Sequence, residues 1–235
     1  RHVTGGSAHA IRETEHVRNA GPQLSGKRIV IDPGLGGADR GVIVPGREGP
    51  TSEADILWDL ASRLEGRMTA IGMDTYISRA IQNNPTDIDR ATYANNVGAD
   101  LMISLRFDSQ PTVAASGVAS YHFGNLHGSV STIGHMLADF IQREVAARTG
   151  LRDCRAHGRT WDLLRLTRMP TVQVDIGYIT SPNDVSILSA AHYRDVVAES
   201  ILAAVKRVYL LGKNDRPTGT FTFDELLAHE LSAGS

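Results

Sequence analysis

Three short apolar runs constrain this chain more than any other feature: "KRIVIDPG" at residues 27–34, "ADLMISLRFDS" at 99–109 and "TVQVDIGYI" at 171–179. Each is rich in β-branched residues and too short for an amphipathic helix, so each reads as a strand with both faces covered. Helical periodicity fills the space between them. After "TSEADILWDLASRLEGRMTAIGMD", with Ser52 as N-cap and Gly72 as stop, Ile56, Leu57, Leu60, Leu64 and Met68 fall on one face. Further helices are predicted at about 87–98, at Ser131 to Arg148 and at 192–210, and further strands at "DTYIS" and "GVASYHF". Strands alternating with helices predict a single α/β domain with a twisted, mainly parallel central sheet and helices on both faces. Ligands of such sheets collect where the loops leave the strand ends.

The domain is expected over residues 25–212. Residues 1–24 are polar, contain Gly and lack a sustained apolar period, which predicts a linker with a short helix at 8–18. Residues 213–235, "KNDRPTGTFTFDELLAHELSAGS", predict a tail: Pro217 and Gly219 break structure, and Thr222 and Glu225 stand in capping-box register before a short "ELLAHEL" helix. A net charge of -2 offers no electrostatic footprint for nucleic acid. No apolar stretch approaches the roughly 20 residues of a membrane span, and the single Cys154 leans toward a reducing, cytoplasmic setting.

Polar residues gather at the strand ends: "IDPGLGG", "SLRFD" and "VQVDIGY", with Glu53 at a helix start. The glycine-rich turn at 34–37 lacks the lysine and spacing of a phosphate-binding loop. Leu35 is the odd residue, an apolar side chain at the mouth of a turn where chemistry belongs.

The order of these pieces resembles the zinc-dependent N-acetylmuramoyl-L-alanine amidases, whose strands carry "DPGHGG", "SIHAN" and "PAVLVEIGF" with a glutamate at the helix start after the first of them. The likeness covers about residues 26–210, including "GMDTYISR", "ANNVGADLMISL" and "MPTVQVDIGYITSPND". It implies the amidase fold, and it implies that two histidines and a glutamate hold zinc while a late glutamate acts as general base on the metal-bound water. Carried onto this chain, the first histidine falls on Leu35, the metal glutamate on Glu53, the second histidine on Arg106 and the base on Asp175. Leu35 has no lone pair, Arg106 keeps its proton and repels a cation, and Asp175 is one methylene short. The expectation is a site with no functional catalytic residue and no zinc, in which Arg106 replaces the cation and pairs with Glu53 and Asp175. Asp32, Arg79 and Asn95 read as scaffold hydrogen bonders, and Trp58 and Trp161 as core or groove-lining aromatics. His122, His127 and His157 lack ligand spacing and do not rebuild a metal site, and His135 reads as surface.

The resemblance is strongest to a regulatory, degenerate branch of the family. What that implies is a cytoplasmic regulator of peptidoglycan precursor synthesis that a Ser/Thr protein kinase phosphorylates and that then binds and activates the enolpyruvyl transferase MurA, with peptidoglycan-binding-like repeats ahead of Arg1. Thr218, Thr220 and Thr222 are the candidate phosphorylation sites, since a phosphate there adds nearly two charges and three acceptor oxygens to an accessible stretch. The alternatives are a zinc amidase with an altered site, the one case in which a zinc cofactor is expected, and a non-hydrolytic sensor of muropeptides or precursors.

Overall fold

Strand β1 (Arg28–Pro33) shows why the sheet is layered: Ile29 and Ile31 point into one core and Val30 into the other, all three with no exposed surface. The computed structural model describes residues 24–46 and 49–211. The predicted helix at 8–18, the tail 213–235 and Thr218, Thr220 and Thr222 lie outside the described residues. After β1 come a two-stranded hairpin, β2 (Ile43–Val44) and β3 (Thr51–Ser52), helix α1 (Glu53–Ala70), β4 (Asp74–Ile77), α2 (Asp87–Val97), β5 (Leu101–Asp108), β6 (Val118–Phe123), α3 (Thr132–Thr149), β7 (Asp153–Arg159), α4 (Asp162–Leu166), β8 (Thr171–Tyr178), α5 (Pro182–Leu188) and α6 (Ala191–Lys206), which runs into a π-helical turn at Arg207–Leu211.

The main sheet has the order β4-β1-β5-β8-β6-β7. The first four strands are parallel, β6 runs antiparallel to β8, and β7 is parallel to β6. Helices α1, α3 and α6 cover one face, with Leu57, Leu60, Leu64, Leu137, Ile141, Val197 and Ile201 meeting the inward residues of five strands. Helices α2 and α4 cover the other face over the middle of the sheet through Ala91, Ala94 and Leu163.

The α/β class and the mainly parallel sheet are as predicted. Ser52 caps α1, its hydroxyl accepting from the Asp55 N–H at 3.1 Å. Strand β7 alternates only over Asp153–Ala156, buries no residue fully, and is not predicted. It is an edge strand, and it bends at Arg155, which takes φ 71° where the register with β6 shifts. The short α4 and α5 also escape periodicity, although Ser181-Pro182 at the start of α5 is a local start signal.

Candidate functional site

The parallel strands end together, and the turn after β1 lies over that edge. Two arginines hold it. Arg79 donates to the carbonyls of Pro33 (2.9 Å) and Gly34 (3.1 Å), and Arg90 donates to those of Pro33 (2.9 Å) and Leu35 (3.1 Å). Burial, with Arg90 close by, pulls the Arg79 guanidinium down to about 10. Beneath the turn sits Asp32, fully buried, which accepts from Arg90, Ser78, Ser104 (2.6 Å) and Arg106 (3.0 Å). Burial opposes its ionisation, but Arg106, Arg90 and the two hydroxyls outweigh that and hold the carboxyl below its usual range.

Leu35 occupies the left-handed region at φ 58° and packs half-buried against the main core. Histidine and asparagine enter that backbone region far more readily than leucine. Glu53, the first residue of α1, accepts a 3.2 Å hydrogen bond from the Val42 N–H, and its carboxyl is raised by burial, with Asp39 adding to the shift. A methyl group on Gly41 would collide with both the Glu53 carboxylate and Leu35 Cδ1, so these two predicted positions meet across one glycine.

Arg106 is held elsewhere than the sequence suggests. Its side chain crosses Gly34, its Nε donates to Ser104 Oγ at 3.1 Å, and its Nη2 pairs with Asp32 (3.0 Å) and Asp87 (3.1 Å). The expected pairing with Glu53 and Asp175 is therefore incorrect. The parallel register sets Ser104 beside Asp32, and α2 begins at Asp87 over the same spot, so these carboxylates are the nearer ones. Asp175 is the register partner of Arg106 on β8, feels its charge, and accepts its hydrogen bond from Gln173 Nε2 at 2.9 Å. Burial raises Asp175 to about 6, and Asp108 pushes the same way.

A family model for N-acetylmuramoyl-L-alanine amidases matches residues 29–207. The chain belongs to the N-acetylmuramoyl-L-alanine amidase family. It is 74% identical over 230 residues to N-acetylmuramoyl-L-alanine amidase CwlM of Mycobacterium tuberculosis, covering 98% of this chain and 57% of that protein. To amidase LytC of Bacillus subtilis it is 29% identical over 176 residues, 75% of this chain and 34% of that one. The chain thus spans only part of the length of these relatives. An amidase structure from Clostridium difficile 630 superposes with TM-score 0.71 at 24% identity, over 80% of this chain and 99% of that chain. Ami1 of Mycobacterium smegmatis superposes with TM-score 0.66 at 23% identity, over 80% and 98%. Likeness at this identity speaks for the fold.

The zinc site that the amidase family implies does not fit these residues. Of the three positions, one offers a carboxylate, one a hydrocarbon and one a guanidinium already bonded to two aspartates. Among the described residues no group of three or more His, Cys, Asp or Glu side chains could hold a metal ion.

The other predicted residues disperse. His157 packs on Tyr121 with ring centroids 5.7 Å apart, and its Nε2 lies 2.7 Å from the Cys154 carbonyl. His122 and His127 line a cleft that Ala156 and Gly158, the neighbours of His157 on β7, also line, so the three lie in the same half of the molecule, at the end of the sheet away from the amidase-like site. His135 is exposed, as expected of a surface residue, yet it stacks on His122 with centroids 4.3 Å apart. Trp58 is half-buried beneath the Arg79 guanidinium, and Trp161 packs on Tyr121. Asn95 bonds the Leu166 carbonyl and the Arg168 N–H. Sequence reasoning missed Arg90, 1% exposed, although a charge in phase with the apolar Ala91 and Ala94 on α2 was there to be read.

Proposed function

We propose that this chain is a catalytically inactive, amidase-shaped regulator of peptidoglycan precursor synthesis, acting in the cytoplasm. Arg106 carries the reading: a permanently charged guanidinium stands where the family resemblance puts a metal ligand, and it is bonded to Asp32 and Asp87. The partner read from the family resemblance is the enolpyruvyl transferase MurA, bound and activated after a Ser/Thr kinase phosphorylates Thr218, Thr220 or Thr222.

The test has two parts. Purified protein supplemented with zinc is assayed for bound metal and peptidoglycan cleavage, beside a Leu35→His, Arg106→His, Asp175→Glu variant. The expected result is no zinc and no cleavage in the wild type, with zinc uptake in the variant. In parallel, MurA turnover is measured with the chain unphosphorylated and phosphorylated, and stimulation by the phosphorylated form alone is expected. Near-stoichiometric zinc with cleavage by the wild type overturns the proposal in favour of a working hydrolase, the activity named for the 74%-identical relative.

A further inference from the structure

The cleft at the far edge of the sheet is unused by that reading. Because β6 is antiparallel to β8, its end at His122 lies beside Val172, near the start of β8, whereas the amidase-like site lies beyond Asp175. The cleft, about 910 Å³, opens between the turn at 124–130, the first turn of α3 and the end of β7. Three imidazoles line it, His122, His127 and His135, together with Ser129 and Thr160, and its lining includes no carboxylate.

The imidazoles are positioned. His122 is 5% exposed, and its Nδ1 lies 3.0 Å from the Phe123 carbonyl, which can only accept, so that nitrogen carries the proton. Its ring is nearly parallel to that of His135, at 17°, and His135 Nε2 faces Asp139 one turn along α3 at 3.4 Å. His127 sits on a braced turn: Asn125 Oδ1 accepts from the N–H groups of His127 (2.9 Å) and Ser129 (3.0 Å), and Gly124 bridges to Val130. Since no three metal-ligating side chains converge among the described residues, the cluster is not a metal centre. Histidines and hydroxyls lining a space without carboxylates can each donate a hydrogen bond and suit an anion with several acceptor oxygens.

We propose that this cleft is a second ligand site, one that takes a phosphoryl group, either inorganic phosphate or a phosphate monoester. One source lies in the chain itself. Tyr209, close to the end of the described residues, sits by Lys27 Nζ at 5.9 Å, ahead of β1 and on the same sheet edge as the cleft. Three strand spacings of about 4.8 Å separate β1 from β6, roughly 14 Å. The seven residues from 211 to Thr218 span up to about 23 Å when extended. Only this tail source rests on the phosphorylation reading above; binding of free phosphate does not.

The experiment follows the histidine side-chain signals of the full chain by NMR during titration with inorganic phosphate, with a phosphothreonine peptide of residues 213–226, and with the same peptide unphosphorylated. Phosphate and phosphopeptide are expected to shift His122, His127 and His135 while leaving His192, at the start of α6, in place. A His127→Ala, His135→Ala variant is expected to lose about tenfold or more in affinity, having lost two charge-assisted hydrogen bonds. Should that variant misfold, His127→Gln on the exposed turn serves in its place. A phosphopeptide tighter than phosphate assigns the ligand to the tail, and equal affinity assigns it to a free phosphate ester; both uphold the site. Unmoved signals at about 20 mM phosphate, a weak-binding limit, or equal binding of the unphosphorylated peptide, overturn it. Neither zinc content nor MurA stimulation enters this readout, so the two proposals fail separately.

Discussion

At the scale of single residues, two carboxylates and two guanidiniums govern the candidate site. Asp32 has two cationic partners, so removing one is cushioned by the other. Arg106→Ala is expected to cost about 1–3 kcal/mol, because Arg90, Ser78 and Ser104 still hold Asp32. Arg90→Ala removes the fully buried partner and the donors to Pro33 and Leu35, and is expected to cost about 3–5 kcal/mol. Urea denaturation of the two variants checks the ranking. The two carboxylates also pull stability in opposite directions with pH. Asp32, held below its usual range, stabilises the fold at and above ordinary carboxylate pKa values, and that contribution is lost as pH falls into strong acid. Asp175, raised to about 6, keeps a proton in the native state that the unfolded chain has lost, so stability falls as pH rises from about 4 through about 6. Asp175→Asn is expected to remove that slope and to stabilise by about 1–3 kcal/mol at pH 8, measured by urea melts at pH 5 and pH 8. Motif order put Arg106 and Asp175 on strands, Glu53 at a helix start and Leu35 in the turn after a strand, as they are in the fold. The partner of Arg106 was not legible in that order, because which carboxylate lies nearest is decided by strand register and by where α2 begins.

At the scale of elements, α3 and the end of α6 are joined by a charge inside the core. Glu144 and Arg207 both have fully buried side chains, and Glu144 accepts from Arg207 at 2.8 Å and from Arg148 at 2.9 Å. Leaving buried guanidinium without its carboxylate is costly, so Glu144→Ala is expected to lose about 3–5 kcal/mol. Glu144→Gln, which keeps an acceptor, is expected to lose less, and thermal melts of both variants check it. Helices α1, α2 and α3 were readable because apolar period, cap and stop coincide: Ser52, Thr86 and Ser131 cap their starts, and Gly98 and Gly150 end α2 and α3 in the left-handed region. Strand β7 was unreadable for the converse reason. It alternates only over Asp153–Ala156, has no buried residue, and is a strand because β6 offers it an edge.

At the scale of the whole molecule, the sheet brings the strand ends of β1, β5 and β8 to one edge and the end of β6 to the other. With ion pairs already bonding the residues at the amidase-like edge, the fold should not depend on a metal. Its melting temperature is expected to stay within about 1 °C when a strong chelator is added, since a ligand stabilises a fold only if the native state binds it; a larger drop would reveal a bound ion. The sequence by itself determined the α/β class, the strands that form the middle of the sheet and the amidase family, and it set a hydrocarbon at Leu35 and a guanidinium at Arg106. These follow from local periodicity and residue chemistry, which need no knowledge of distant neighbours. Only the tertiary structure decided that Arg106 binds Asp32 and Asp87, that Asp175 is buried enough to hold its proton toward neutral pH, and that His122, His127 and His135, spread over fourteen residues, share one cleft. Each of those depends on strand order, direction and register, which arise from packing the whole sheet between its helices.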